Sequence, residues 1–296
     1  MSLYKYEMEE NKTNGFIQAV LEELKRMAGN DVKIEMKDVL KENGVALKGI
    51  VVKPVNSPVG KMMYWKDDLI ELGAEEVARQ FYECYKEESP DELNHYKDGW
   101  FNWDNVYSNI RIRVMNYERN LEWLQEYPHE QFLDLAVVCY IQVGEGLTCN
   151  VHNEMLKIWG ITEQQLMEQA KVNMKNISCQ RKSVLSVLRE LMFGEADEEF
   201  CWESDNEQLN MIQCNTPRFG AAVILQIENF SFLSQDSWIL PSSVEEVLVM
   251  PCKDADKDKV KKIVRDINLA VVSKTEFLSD NIYLYNYEKQ ELTIVE

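Results

Sequence analysis

The stretch from Arg218 to Pro251, RFGAAVILQIENFSFLSQDSWILPSSVEEVLVMP, constrains the fold more than any other part of the sequence. Its three apolar segments predict strands: one that begins with a Gly-Ala pair, a second that ends at Leu240 and a third that starts near Val247. A Pro-Ser-Ser-x-x-Glu turn separates the last two. Because a serine followed three residues later by glutamate can form a hydrogen-bonded cap, we expect Ser242 or Ser243 to bond to backbone NH groups there.

The elements described below predict an α+β protein with antiparallel or mixed sheets and packed helices. At 296 residues the chain is long enough for one large domain or two modest ones. Pro128 breaks the pattern, so we place a boundary there. Residues 1–128 would hold an N-terminal helix, a hairpin and an aromatic-rich helical region, and residues 129–296 a C-terminal α+β domain.

In the N-terminal half, Asn14 can cap a helix that ends at Gly29. Residues 32–38 and 45–53 are strand candidates, and the Asn-Gly pair between them supplies the positive φ angles of a tight hairpin. Residues 67–72 and 74–86 then read as helices. Between residues 81 and 127 there are eleven aromatic residues, which predict either helix packing or the lining of a ligand cleft.

In the C-terminal half, residues 132–143 predict a single buried strand, and Thr162 with Gln165 predicts a capping box at the start of a helix. A second helix is predicted near residues 184–194. The apolar spacing of residues 260, 263, 264 and 267 predicts an amphipathic helix. A closing hairpin is predicted across residues 288–290.

The formal charge of −19 predicts a surface that repels nucleic acid and anionic lipid. Residues 194–208 contribute seven carboxylates and no lysine or arginine. This segment can be a solvated loop, a cation site or a patch that docks a basic protein. For the docking alternative, the candidate residues are Asp197, Glu198 and Glu199.

The N-terminal residues lack a secretory signal, and no apolar run is long enough to span a bilayer. We therefore expect a cytoplasmic protein without membrane contact. The seven cysteines are odd in number and scattered, which favours reduced thiols over a disulfide framework.

Motifs that hold metals or cofactors, or that mark common hydrolases, are missing from the sequence. Cys149-x-x-His152 is half of a zinc pattern without a second pair. Neither a phosphate-binding glycine loop nor G-x-S-x-G occurs. We expect no metal and no cofactor, and Ser242 and Ser243 have no histidine nearby in the sequence to activate them.

Several motifs resemble a family of uncharacterised bacterial proteins that is catalogued only as a domain of unknown function and is frequent in anaerobic gut Firmicutes. The resemblance covers most of the chain and implies no activity. It is carried by these motifs: Asn43-Gly44-Val45-x-Leu47-x-Gly49-Ile50, Tyr64-x-x-Asp67, Phe219-Gly220-Ala221-Ala222, Ile239-Leu240-Pro241-Ser242-Ser243, Glu246-Val247-Leu248 and Leu278-Ser279-Asp280-x-x-Tyr283-x-Tyr285.

From these observations we expect a noncatalytic binding or regulatory protein that engages another protein. The alternative is a hydrolase of an unfamiliar type that uses carboxylates or Ser242 and Ser243, because carboxylate chemistry needs no histidine. The candidate functional turn comprises Pro241, Ser242, Ser243 and Glu246.

Overall fold

The computed structural model describes residues 3–55, 60–87, 102–144, 147–175, 177–184, 209–214, 219–229, 233–254 and 256–295. They form α-helices, short 3₁₀ helices and three antiparallel sheets. The predicted α+β class is therefore confirmed. In this part of the chain, no helix is both long and apolar enough to cross a membrane.

The chain divides into two compact units. The first comprises Met1–Lys41 with Val45–Phe101, and the second comprises Glu42–Gly44 with Asn102–Glu296. Residue 128, where the sequence predicts a boundary, lies inside the second unit. On either side of it, strands within residues 110–116 and 135–141 pair with one another.

The first unit packs two helices with a three-stranded sheet around one apolar core. Its elements are α1 (Leu3–Ala28), β1 (Val32–Leu40), β2 (Ala46–Pro54), β3 (Lys61–Tyr64), a 3₁₀ helix (Asp67–Leu72) and α2 (Ala74–Glu87). The helix α1 begins at Leu3 rather than at Asn14, because the residues before Asn14 include no proline or glycine to stop it. Gly29 ends it with a φ of +73°.

The predicted hairpin is confirmed. The strands β1 and β2 pair from Val32 opposite Pro54 to Leu40 opposite Ala46. At the tip, Asn43 and Gly44 have φ angles of +60° and +70°, which these two residue types adopt most readily.

The second unit begins with a sheet built on one long strand. Its elements are α3 (Trp103–Val106), β4 (Ile110–Asn116), α4 (Leu121–Leu124), β5 (His129–Phe132), β6 (Leu135–Gly144), β7 (Leu147–Asn150), α5 (Asn153–Trp159) and α6 (Glu163–Met174). The strand β6 pairs with β4, β5 and β7. The prediction of one strand over residues 132–143 is wrong, because a turn at Leu133 and Asp134 separates β5 from β6, and Leu133 has a φ of +56°.

The capping box is confirmed at the start of α6. The Thr162 hydroxyl accepts from the backbone N–H of Gln165 at 3.2 Å, and the Gln165 side chain accepts from the backbone N–H of Thr162 at 2.8 Å. Buried apolar side chains along one side of α6 include Leu166, Ala170 and Met174.

The rest of the second unit is a six-stranded sheet in the order β13-β12-β10-β11-β9-β8. Its elements are β8 (Cys179–Ser183), β9 (Asn210–Cys214), a 3₁₀ helix (Gly220–Asn229), β10 (Ser237–Leu240), β11 (Val247–Pro251), α7 (Lys257–Ala270), β12 (Tyr283–Asn286) and β13 (Glu291–Ile294). The predicted amphipathic helix and closing hairpin are confirmed as α7 and β12-β13. The helix predicted near residues 184–194 lies outside the described residues, apart from Val184.

The predicted strand at the Gly-Ala pair is wrong, since residues 220–229 form the 3₁₀ helix. Its first half is buried on every side, from Ala221 to Ile224. A short apolar run with no exposed face has the same hydrophobic pattern in a helix as in a buried strand, so the sequence does not separate the two.

The expectation that all cysteines are reduced thiols fails at one pair. Cys179 and Cys214 form a disulfide and lie directly opposite each other in the pairing of β8 with β9. Because they are 35 residues apart in the sequence, strand pairing rather than sequence spacing brings them together.

Candidate functional site

The predicted turn between β10 and β11 is built around Ser243. The Ser243 hydroxyl accepts from the backbone N–H of Glu245 at 3.2 Å and donates to the Glu246 carboxylate at 3.3 Å. Of the two serines that could cap this turn, Ser243 is the one that bonds to the backbone in this way. The turn is buried at both serines, which are 7% and 8% exposed.

The Glu246 carboxyl lies in an environment that opposes its ionisation. Burial raises the pKa of Glu246, the hydrogen bond from Ser243 lowers it, and the nearby carboxylates Glu245 and Glu276 raise it. The net effect is a pKa above the usual range for glutamate. A partly buried acid of this kind can hold a proton at a pH where an exposed glutamate would not.

Two other segments hold the backbone of the turn. Residues 276–279 run beside it, with hydrogen bonds from Val244 N–H to the Glu276 carbonyl at 2.9 Å and from Leu278 N–H to the Ser242 carbonyl at 3.0 Å. Gly220 packs so closely that a Cβ there would lie 2.2 Å from the Glu245 carbonyl oxygen. A side chain at position 220 would therefore displace the turn.

Asp134, in the turn between β5 and β6, anchors residues 279–283. Its carboxylate accepts from the Ser279 hydroxyl at 2.6 Å, from Asn281 Nδ2 at 2.9 Å and from the Tyr283 hydroxyl. Burial raises the pKa of Tyr283, and the adjacent Asp134 charge raises it further. All three donors bond to one carboxylate and tie this segment to the turn at Asp134, so the cluster stabilises the scaffold.

Asn43, which belongs to the second unit, bonds to two other segments of that unit. Its side-chain amide donates to the carbonyls of Lys274 and Phe277 at 2.9 and 2.8 Å. Its own N–H and Oδ1 pair with the side-chain amide of Asn120, each at 2.7 Å. Asn120 is 1% exposed, so these bonds are shielded from water.

Next to this tip, a buried arginine lies against two aromatic rings. Arg113 of β4 is 4% exposed, and its Nη1 donates to the Glu42 carboxylate at 3.0 Å. Its guanidinium carbon lies 5.2 Å from the centroid of the Trp123 ring and 5.0 Å from that of Phe219. We call Arg113, Glu42, Trp123 and Phe219 the Arg113 cage.

Glu42 and the two rings leave part of the guanidinium unused. Within the described residues, Nε and Nη2 of Arg113 have no hydrogen-bond acceptor. These two nitrogens form one edge of the planar group, the edge that pairs with a carboxylate through two parallel bonds. Each buried donor left unpaired costs about 1–3 kcal/mol, so this edge is the strongest sign of an incomplete site in the described chain.

The surroundings of the cage are aromatic and weakly reactive. Tyr127 stacks on Trp123 with ring centroids 3.5 Å apart, and the His152 ring lies 4.3 Å from that of Tyr127. Burial raises the pKa of Tyr127 and of Cys149. Cys149 is therefore a poor thiolate nucleophile at neutral pH.

Two cavities of about 340 Å³ open elsewhere in the second unit. One lies between α7 and the strands β10 and β11, and Ser242 forms part of its otherwise mostly apolar wall. The other lies between α6, β5 and the 3₁₀ helix that begins at Gly220. In the described part of the chain, no three acidic, cysteine or histidine side chains group closely enough to hold a metal.

The structure brings together part of what the sequence singles out. Pro241, Ser242, Ser243 and Glu246 lie in one turn, whereas Asp197, Glu198 and Glu199 lie outside the described residues. The sequence reasoning did not identify Arg113 or Asp134. An arginine inside an otherwise apolar strand, Ile-Arg-Ile-Arg-Val, was the available signal for Arg113.

A family model described as a family of unknown function, DUF5688, matches residues 13–287. Neither a curated protein sequence nor a solved structure matches the chain.

Proposed function

The chain belongs to the family of unknown function DUF5688, and from its geometry we propose that it is a noncatalytic binding or regulatory protein that engages another protein. One observation carries the proposal. Four acids and hydroxyls at the candidate turn and beside it are bonded to each other or to the backbone. These groups are Asp134, Ser243, Glu246 and Ser279.

Catalysis by a serine requires a base that can take its proton. The Ser243 hydroxyl donates to Glu246 and also accepts from the backbone N–H of Glu245, so both of its bonds hold the turn together. Asp134 accepts three hydrogen bonds, which occupy its oxygens. These arrangements support a scaffold rather than a reaction centre.

The partner that we propose is a basic protein, met in the bacterial cytoplasm. The support is the charge of −19 and the run of carboxylates in residues 194–208. A positive partner would be attracted to this concentration of negative charge, and the attraction would weaken with salt because exposed charges are screened over about 10 Å at 0.1 M ionic strength.

The test compares three forms of the full chain as bait for proteins in a bacterial lysate. In the first variant Asp197→Asn, Glu198→Gln and Glu199→Gln are combined. The matched control removes the same number of charges from exposed carboxylates of the first unit, through Glu22→Gln, Glu71→Gln and Glu75→Gln.

We expect the wild type and the control to retain one basic protein whose purified form binds directly, with a dissociation constant that rises with salt. The first variant should bind it at least several-fold more weakly. A retained protein that is indifferent to salt and to the first variant would end the acidic docking proposal, as would equal weakening by the control.

A hydrolase remains the second candidate, and the raised pKa of Glu246 beside Ser243 is the observation that favours it. A buried acid that keeps its proton can act as a general acid. The wild type should be assayed on ester, peptide and glycoside substrates next to Glu246→Gln and Ser243→Ala. Turnover that both substitutions abolish, while the fold is retained, would replace the binding proposal with this one.

A further inference from the structure

The Nε–Nη2 edge of Arg113 lacks a hydrogen-bond acceptor in the described part of the chain. The guanidinium is buried, and its Nη1 donates to Glu42. Nε and Nη2 have no acceptor within the residues that the structure describes. Since nearly all buried donors in folded proteins have partners, an acceptor that completes this edge is the simplest physical explanation.

Phe219, whose ring belongs to the cage, has a strained backbone conformation. Its φ of +61° lies in the left-handed region, which bulky residues rarely adopt. The ring meets Arg113 on one side and contacts Tyr140 edge-on, with centroids 5.2 Å apart. Strain of this kind persists where the surroundings enforce it, and it is frequent at ligand sites.

The shape of the unused edge selects a planar ligand. Its N–H groups lie in the guanidinium plane and run nearly parallel, so they match the two oxygens of a carboxylate. The rings of Trp123 and Phe219 lie over the guanidinium. A carboxylate can lie wholly in that plane, whereas a phosphate that pairs through two of its oxygens projects the other two out of it.

The local charge also favours a carboxylate. Arg113 carries one positive charge, and the Glu42 carboxylate already lies 3.0 Å from its Nη1. A carboxylate adds one negative charge to this pair and a phosphate dianion adds up to two, so repulsion from Glu42 is greater for phosphate.

We propose that the Nε–Nη2 edge of Arg113 binds the carboxylate of a ligand in the guanidinium plane, next to Trp123 and Phe219. The proposed site uses none of the acidic residues 197–199, so it does not depend on the docking proposal. A small carboxylic acid and the C-terminus of a peptide both offer this group, and the experiment separates them.

The experiment follows the arginine Nε–H resonances of the ¹⁵N-labelled full chain by NMR at constant ionic strength and pH 7. The probes are acetate, the dipeptide N-acetyl-Ala-Phe with a free C-terminus, its C-terminal amide and inorganic phosphate. The variant Arg113→Lys assigns the Arg113 signal by its disappearance. If that variant does not fold, Trp123→Leu assigns the signal through the lost ring-current shift.

We expect a saturable shift of the Arg113 signal with the free dipeptide and little or none with its amide or with phosphate. A similar shift with acetate identifies the site as one for carboxylates in general, and its absence identifies a peptide terminus. No shift with either carboxylate would overturn the proposal, and so would an equal or larger response to phosphate.

A second arginine provides the control. Arg119 also lies over an aromatic ring, 3.7 Å from the Phe277 centroid, but it is outside the cage. The Arg119 signal should stay unchanged, because a shift of both signals would indicate a general salt effect and would contradict the proposal. Calorimetric affinity for the free dipeptide should fall by roughly tenfold to a hundredfold in Arg113→Lys, the loss expected for one charged hydrogen bond, and remain unchanged in Arg119→Lys.

Discussion

Asn43 meets two separate demands, and few other residue types could meet both. Its φ of +60° requires a residue that tolerates the left-handed region. Its side chain must also donate to two carbonyls and accept from Asn120. The sequence predicted the first demand from the Asn-Gly pair, but it could not show the second, because the bonded residues lie 77 to 234 positions away.

Asn43→Gly separates these demands, because glycine keeps the backbone angle and removes the side chain. We expect the free energy of unfolding to fall by about 1–3 kcal/mol, owing to the carbonyls and the amide of Asn120 that lose a buried partner. Urea denaturation measures this. Asn30→Gly, at an exposed turn, is the control and should change stability by less than about 0.5 kcal/mol. Equal effects of the two substitutions would contradict the assigned role.

Glu246 should make the folded state less stable as pH rises. Its pKa is raised above 4.5 in the folded protein, so between that value and the folded pKa the native state binds more protons than the unfolded state. Stability contributed by the protonated group is thus present at low pH and lost as pH rises through the folded pKa.

Glu246→Gln removes this titration while it keeps the size of the side chain. Relative to the wild type, the variant should become progressively more stable as pH rises above 4.5, as measured by urea denaturation across the range. Ser243→Ala provides a companion measurement: it should lower stability by about 1 kcal/mol through loss of the cap. A stability difference between Glu246→Gln and wild type that does not vary with pH would show that burial leaves the pKa of Glu246 unshifted.

At the scale of the elements, the sequence predicted those whose signals are local. The capping box before α6, the Asn-Gly hairpin and the amphipathic spacing of α7 each depend on residues within one or two turns of chain. The start of α1 was misplaced because asparagine is common at the N-cap position of helices, and the sequence does not show whether a given asparagine caps a helix or lies inside one. The turn at Leu133 was missed because leucine rarely adopts a positive φ.

The disulfide between β8 and β9 also depends on how these two strands pair, because the pairing places Cys179 opposite Cys214. It closes a loop with a sequence separation of 35, for which the chain-entropy model gives a stabilisation of about 4 kcal/mol. The paired substitution Cys179→Ala with Cys214→Ala should therefore lower the free energy of unfolding by up to this amount. Cys84→Ala alters a free cysteine and serves as the control.

Thiol titration of the denatured, unreduced protein gives an independent check on the pairing. Mass spectrometry of the same sample should recover the Cys179 and Cys214 peptides as one linked species that separates on reduction. Recovery of both peptides as free thiols, with no loss of stability in the paired variant, would show that strand pairing alone holds these residues together.

At the scale of the whole molecule, the candidate site is assembled from segments that the sequence does not relate to each other. Glu42, Arg113, Trp123 and Phe219 come from four separate parts of the chain. The individual motifs could be recognised, but their convergence depends on the strand order, and no local pattern encodes that order. The turn at Ser243 could be predicted because its residues are close together in the sequence. The Arg113 cage could not, because its residues are distant in the sequence.

The net charge makes a prediction for the complete chain. With 51 acidic and 32 basic residues, repulsion between like charges opposes the compact state, and added salt screens it. We expect the urea midpoint to rise with NaCl and to level off near 0.15 M, where the screening length falls to about 8 Å.

KCl is the control for this prediction and should have the same effect as NaCl, since the effect depends on ionic strength. Sulfate is avoided because it also strengthens apolar burial. The buried Arg113–Glu42 pair is only weakly screened and should not reverse the trend. A midpoint that falls with salt would mean that favourable charge pairs outweigh the repulsion, despite the excess of acids.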